Sequence, residues 1–199
     1  MIDELMTEDE AAELIAPHRA ALASFLLTGW ADWIKLVEQN PMLATVRNTT
    51  RANVVYDRVT ELAEAYFDAE GITTTRSKQF LAVTLADGRL ILRFKKFKGR
   101  SMRTSGIPTA QRLEIEAQQV ELDGMAVTHL TVGYLPDDLG VELDLTAVVC
   151  SFNGRPLWSI DLDAAETGSV VVPVKSTKPV GPTVRSTRPA ARKEEAEGQ

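Results

Sequence analysis

The spacing of apolar residues changes once along this chain, near Gly71, from a helical period to a strand period. Before that point, Thr7-Glu8-Asp9-Glu10 has the form of a capping box, with a hydroxyl at the N-cap and a carboxylate three residues on. It opens a short helix that runs to Ala16, and Pro17 suits the first turn of a second helix. Leu22, Leu26, Trp30, Trp33 and Val37 then recur at steps of three or four, a single apolar stripe. Gly29 weakens that helix, and Asn40-Pro41 stops it. A third helix beginning near Thr49 or Thr50 presents Val55, Val59, Leu62 and Tyr66 and ends at Gly71.

Beyond Gly71 the pattern is that of strands. Gln79–Ala86 and Arg89–Phe97 are β-rich runs joined by Asp87-Gly88, a hairpin signal. Pro108 and Thr109 open a predicted helix through Val120, closed by Asp123-Gly124. His129–Leu135, Glu142–Ser151 and Leu157–Leu162 follow as strand candidates, the last two joined by Asn153-Gly154. Helices first and strands afterwards give an α+β class rather than alternating βαβ units. The expected architecture is N-terminal helices followed by a mostly antiparallel sheet with one intervening helix and a disordered C-terminal tail. The segments are residues 1–45 (helical), 46–168 (the α+β core) and 169–199, where Pro, Ser, Thr, Lys and Arg leave too little apolar surface to offset the entropy of ordering.

Composition narrows the chemistry. A single cysteine, Cys150, allows no internal disulfide, and two histidines more than a hundred positions apart exclude a three-histidine metal site, a CxxC zinc module and an HExxH peptidase. Neither metal nor cofactor is expected, and His18, His129 and Cys150 read as structural residues. The acidic start, Asp3-Glu4, is unlike a signal peptide, and apolar runs such as Ala20–Leu27 are short, so a cytoplasmic location with no membrane contact is expected.

Charge is the strongest functional signal. The net charge is −6, yet residues 88–113 carry eight basic side chains and no acidic one, between segments rich in carboxylates. Such a block either faces an anionic ligand or docks on the protein's own acidic surface. Arg93, Lys95, Lys96, Lys98, Arg100 and Arg103, with Phe94 and Phe97 among them, are the candidate phosphate contacts. The plainer explanation is a lysine-guarded edge strand. Arg47, Arg51 and Arg58 would share one helical face if the third helix began before Arg47, so Arg51 and Arg58 join the candidates, with pairing to Asp57 or Glu61 as the competing role. A metal-dependent nuclease would need a carboxylate two residues before its lysine; Arg93-Phe94-Lys95 puts an arginine there, which cannot hold the metal.

Several fragments together resemble a family of small bacterial and prophage proteins: Arg51-Ala52-Asn53, Leu92-Arg93-Phe94-Lys95-Lys96-Phe97, Ile107-Pro108-Thr109-Ala110-Gln111, Leu130-Thr131-Val132-Gly133-Tyr134 and Leu157-Trp158-Ser159-Ile160. Members look like companions of a regulator that joins a helix-turn-helix domain to a zinc peptidase of the ImmA/IrrE type. The resemblance implies a two-gene stress, toxin–antitoxin-like or phage-related module and brings no catalytic residues. The expected role is a non-enzymatic interaction protein that contacts nucleic acid through the basic strand and loop and docks a protein partner, with self-association a further expectation. The alternatives are a toxin-type enzyme acting on nucleic acid or nucleotides, and a structural adaptor without nucleic-acid contact.

Overall fold

The computed structural model of the chain describes residues 5–77, 80–104, 121–122 and 125–163. The chain divides into two units, Met1–Thr167 and Gly168–Gln199, and every described residue belongs to the first. The predicted helix from Pro108 to Val120 and the predicted tail at 169–199 lie outside the described residues.

Helix α1 (Glu8–Ile15) starts at the expected capping box: the Thr7 hydroxyl accepts from the Glu10 N–H at 3.4 Å, and the Thr7 N–H donates to the Glu10 carboxylate at 2.9 Å. A 3-10 turn, Ala16–His18, contains Pro17 and leads into α2 (Arg19–Gln39), which buries Leu22, Phe25, Leu26, Gly29, Trp30 and Trp33. Gly29 has a positive reason to be there. A Cβ at this position would come within 2.6 Å of a Val59 methyl, so the glycine sets how closely α2 approaches α3 (Asn48–Ala69). By length and composition an 18-residue window within Glu8–Gln39 is apolar enough to cross a membrane, at a mean hydropathy of 1.3; Leu22, Leu26, Trp30 and Trp33 lie in the core, while Leu27 and Leu36 are exposed.

The third helix begins at Asn48, one or two residues before the predicted start, and Arg47 is its extended N-cap. Arg47 therefore does not share a helical face with Arg51 and Arg58. The buried stripe is Val55, Val59, Ala63 and Phe67; Leu62 and Tyr66 pack at its margin.

A six-stranded sheet follows, with spatial order β1-β2-β3-β6-β7-β8. The strands are β1 (Thr74–Ser77), β2 (Phe80–Leu85), β3 (Leu90–Lys96), β6 (Thr128–Pro136), β7 (Leu143–Phe152) and β8 (Arg155–Asp161), and a separate two-stranded ribbon pairs β4 (Glu121–Leu122) with β5 (Met125–Ala126). The α+β class holds, with one refinement. The sheet is mixed, because β3 and β6 at its centre run parallel while the other four pairings are antiparallel. A parallel pair cannot be closed by a tight turn, and residues 97–127 separate β3 from β6 in the sequence.

The three described α-helices cover one face of the sheet, α1 over β8, α2 over β6 and β7, and α3 over β1 to β3. Strand alternation sends Leu81, Val83, Leu90, Leu92, Phe94, Leu130, Val132, Val148 and Ile160 to that face, where they join Leu22, Trp30, Val55 and Phe67 in one core. Residues 5–45 thus fold into the same core as the segment after them. The other face is also partly closed: Phe97, Ala147 and Val149 are buried in a second cluster with Met102, Leu135 and Leu145 packed on it. Burial on both faces explains why Thr146 through Cys150 reads as an almost unbroken apolar run.

Candidate nucleic-acid interface

Strand alternation divides the basic block between the two faces of the sheet. Arg93 and Lys95 leave β3 on the face away from the helices, and Lys96 leaves it on the helix side. Arg93 and Lys95 both meet Phe80 on the neighbouring strand; the guanidinium carbon lies 4.8 Å and the ammonium 4.7 Å from the ring centroid. Burial pulls the pKa of Arg93 below its ordinary value.

Beyond β3 the chain forms a tight basic turn. Phe97 bridges to Thr104, the Lys98 N–H donates to the Arg103 carbonyl at 2.8 Å, and the Met102 N–H donates to the Gly99 carbonyl at 2.9 Å. Gly99 has φ 141° and Met102 φ 52°, a conformation that costs a non-glycine residue energy. Two anchors hold it. Phe97 is 1% exposed and Met102 packs beside it, so the turn is tied to the second core by a side chain at each end. The Phe97 ring lies directly on Gly133 of β6, where a Cβ would come within 2.4 Å of the ring and 2.8 Å of the Lys95 carbonyl. Lys98, Arg100 and Arg103 are displayed from this anchored turn, and the Arg100 side chain is 80% exposed.

Among the described residues, carboxylates pair with the candidates Arg58 and Arg100. Arg58 donates to Asp32 at 2.7 Å and to Glu61 at 2.9 Å, and these bonds raise its pKa. The competing role as a pairing residue is therefore the one Arg58 fills, with Asp32 of α2 as a partner the sequence does not reveal. Arg100 pairs with Asp144 of β7 at 2.7 Å. Arg51 sits elsewhere, donating to Asn48 at 2.8 Å with its guanidinium carbon 5.5 Å from the Trp30 ring centroid.

His129 and Cys150 are buried, and His18 is half-buried. Burial, with a smaller contribution from the charge of Arg93, lowers the pKa of His129 to about 4. Burial pushes the Cys150 thiol up to about 11. His18 shares a 3.1 Å hydrogen bond between Nδ1 and the Tyr66 hydroxyl, at the edge of a cleft of about 600 Å³. Leu14, Ile72 and the turn at Ala86–Gly88 also line this cleft, and no Lys or Arg is among its described lining residues. Among the described residues no group of three His, Cys, Asp or Glu side chains could hold a metal ion.

No family model, curated protein or solved structure matches the chain.

Proposed function

We propose that this protein is a non-enzymatic interaction module that contacts nucleic acid through the basic turn at 98–103, flanked on the same face of the sheet by Arg93 and Lys95. The anchored geometry of the turn supports this reading most. Three cationic side chains are presented on a backbone fixed at both ends by buried apolar residues, so little ordering remains to be done when a phosphate strand arrives. Arg100 already bonds one oxyanion, Asp144, and a phosphate can take that place at an exposed site. The setting implied by the family resemblance completes the proposal: a mobile-element or toxin–antitoxin-like module in the cytoplasm, with a helix-turn-helix/zinc-peptidase regulator as protein partner.

The test is binding of a fluorescent single strand and of a duplex, followed by anisotropy across a salt series. If Lys98, Arg100 and Arg103 each neutralise one phosphate of a single strand, the logarithmic salt slope is about −2, and affinity falls roughly twentyfold between about 50 and 200 mM salt. The variant Lys98→Ala/Arg100→Ala/Arg103→Ala should abolish that slope, and Arg58→Ala should leave it intact. Binding that persists unchanged in the triple variant would reject the interface. The adaptor reading predicts instead that neither nucleic acid binds while the regulator co-purifies. The toxin reading predicts growth arrest on expression that depends on one polar side chain.

A further inference from the structure

Lys96 on the helix side of the sheet and Arg51 on α3 both neighbour a buried tyrosine, Tyr134. Lys96 and Tyr134 are register partners across the parallel β3–β6 ladder, so their side chains leave the sheet next to each other on the same face. Tyr134 is 3% exposed, and its hydroxyl is buried with no hydrogen-bond partner among the described residues. Buried polar atoms in folded proteins are nearly always satisfied, so a lone hydroxyl calls for an explanation. Burial holds the phenol protonated, and it is therefore available as a donor.

Arg51 closes the group from α3. Its guanidinium lies against Trp30, whose ring is 6.0 Å from that of Tyr134, and its charge acts on both Tyr134 and Lys96. The β6–β7 turn is fitted around it: a Cβ at Gly140 would stand 2.7 Å from Arg51 Nη1, and the Trp30 indole N–H donates to the Val141 carbonyl at 3.0 Å. No carboxylate among the described residues pairs with Arg51 or Lys96. Asp137, in the adjoining turn, spends one carboxylate oxygen on the N–H groups of Val141 and Glu142. Burial first, and then the charge of Arg51, lower the pKa of Lys96, the signature of a cation whose surroundings lack an anion.

We propose that Arg51, Lys96 and the Tyr134 hydroxyl form a binding site for a single phosphate group. A planar guanidinium, a compact ammonium and a neutral O–H together supply the donors and the charge that a tetrahedral dianion requires. The site lies on the opposite face of the sheet from the basic turn, and it does not rest on the function proposed above.

The experiment is calorimetric titration of the full chain with inorganic phosphate, with a nucleoside 5′-monophosphate, and with a short oligonucleotide carrying either a 5′-phosphate or a 5′-hydroxyl. Saturable binding of inorganic phosphate is expected, weakened at least tenfold in Tyr134→Phe and in Lys96→Gln and unchanged in Arg155→Ala, an exposed position on β8. Tyr134→Phe removes only the unsatisfied hydroxyl, so its thermal midpoint should equal or exceed that of the parent, which separates lost binding from lost folding. Preference for the nucleotide identifies a free phosphomonoester as the natural source, and preference for the 5′-phosphorylated strand identifies a strand end. Absence of saturable phosphate binding, or binding that Tyr134→Phe and Lys96→Gln leave untouched, would overturn the proposal.

Discussion

Replacing Gly133 with alanine probes the contact on which the basic turn depends. The new methyl would stand 2.4 and 2.6 Å from two Phe97 ring carbons and 2.8 Å from the Lys95 carbonyl oxygen. Carbon atoms pack at about 3.5–4.0 Å, so the deficit against the ring exceeds an ångström. The ring is 1% exposed and clustered with Ala147 and Val149, which restricts its retreat, and the carbonyl belongs to the central parallel ladder. Overpacking costs about 1–3 kcal/mol, and a clash against backbone as well as a buried ring belongs at the upper end, about 3 kcal/mol. In urea, with a slope of about 2 kcal/mol/M, the midpoint should fall by about 1.5 M. Tryptophan fluorescence reports it, since Trp30, Trp33 and Trp158 all touch the main core. Phe97→Leu alone leaves a void and also destabilises. The double variant should be more stable than the sum of the single effects predicts, by about 1 kcal/mol or more, because the shorter side chain makes room for the methyl. Oligonucleotide affinity should fall in Gly133→Ala, since Phe97 carries one end of the turn. A loss below about 0.5 kcal/mol, or strict additivity in the double variant, would refute the reasoning.

His129 has a folded pKa of about 4 against an ordinary 6.5, so it is neutral in the native protein and the unfolded chain takes up the proton first. Stability contributed by its neutral state is complete above about pH 6.5 and drains away as pH falls towards about 4, a loss on the order of 3 kcal/mol. Proton NMR of the imidazole ring checks this, and a midpoint near the ordinary value would contradict it. Cys150 is fully buried with its thiol pKa raised to about 11, so a thiol reagent at neutral pH should label it only at the rate at which the fold opens. Labelling as fast in the native protein as in urea would show the site to be accessible. Thr7→Ala removes the hydroxyl that caps α1 and should cost about 1 kcal/mol, read as a shift in the thermal midpoint.

The described helices were legible because local chemistry decides them: a capping box, a proline just before α2, and apolar steps of three and four. The face of α3 was legible only in part. Val55 and Val59 pointed the right way, but the stripe continues through Ala63 and Phe67, and a small alanine does not stand out against the larger Leu62 and Tyr66. Strands β2, β3, β6, β7 and β8 announce themselves by β-rich composition and by Asp87-Gly88 and Asn153-Gly154, whereas β1 is an edge strand of Thr, Arg and Ser with no apolar alternation to betray it. The parallel pairing of β3 with β6 leaves no local trace, because register across a crossover is settled by the assembled sheet. The basic block was visible as charge, and simple alternation predicts that Lys95 and Lys96 part company. What could not be read was the tertiary environment of each cation. Asp32 reaches Arg58 from 26 positions away, Asp144 reaches Arg100 from 44, and Lys96 is paired with the Tyr134 position through the parallel register.

That parallel seam has a consequence for how the molecule comes apart. On either side of it lie three strands joined in sequence by short connections, β1–β2–β3 and β6–β7–β8, each able to zip from its own turns. The junction between these two meanders closes only when distant stretches of chain find one another, so its assembly carries most of the entropic cost of long-range contact. Backbone amides along the Leu90–Lys96 and Thr128–Tyr134 ladder should therefore exchange with solvent together, in one cooperative event that splits the sheet down its middle and removes the footing of both the basic turn and the tyrosine site at once.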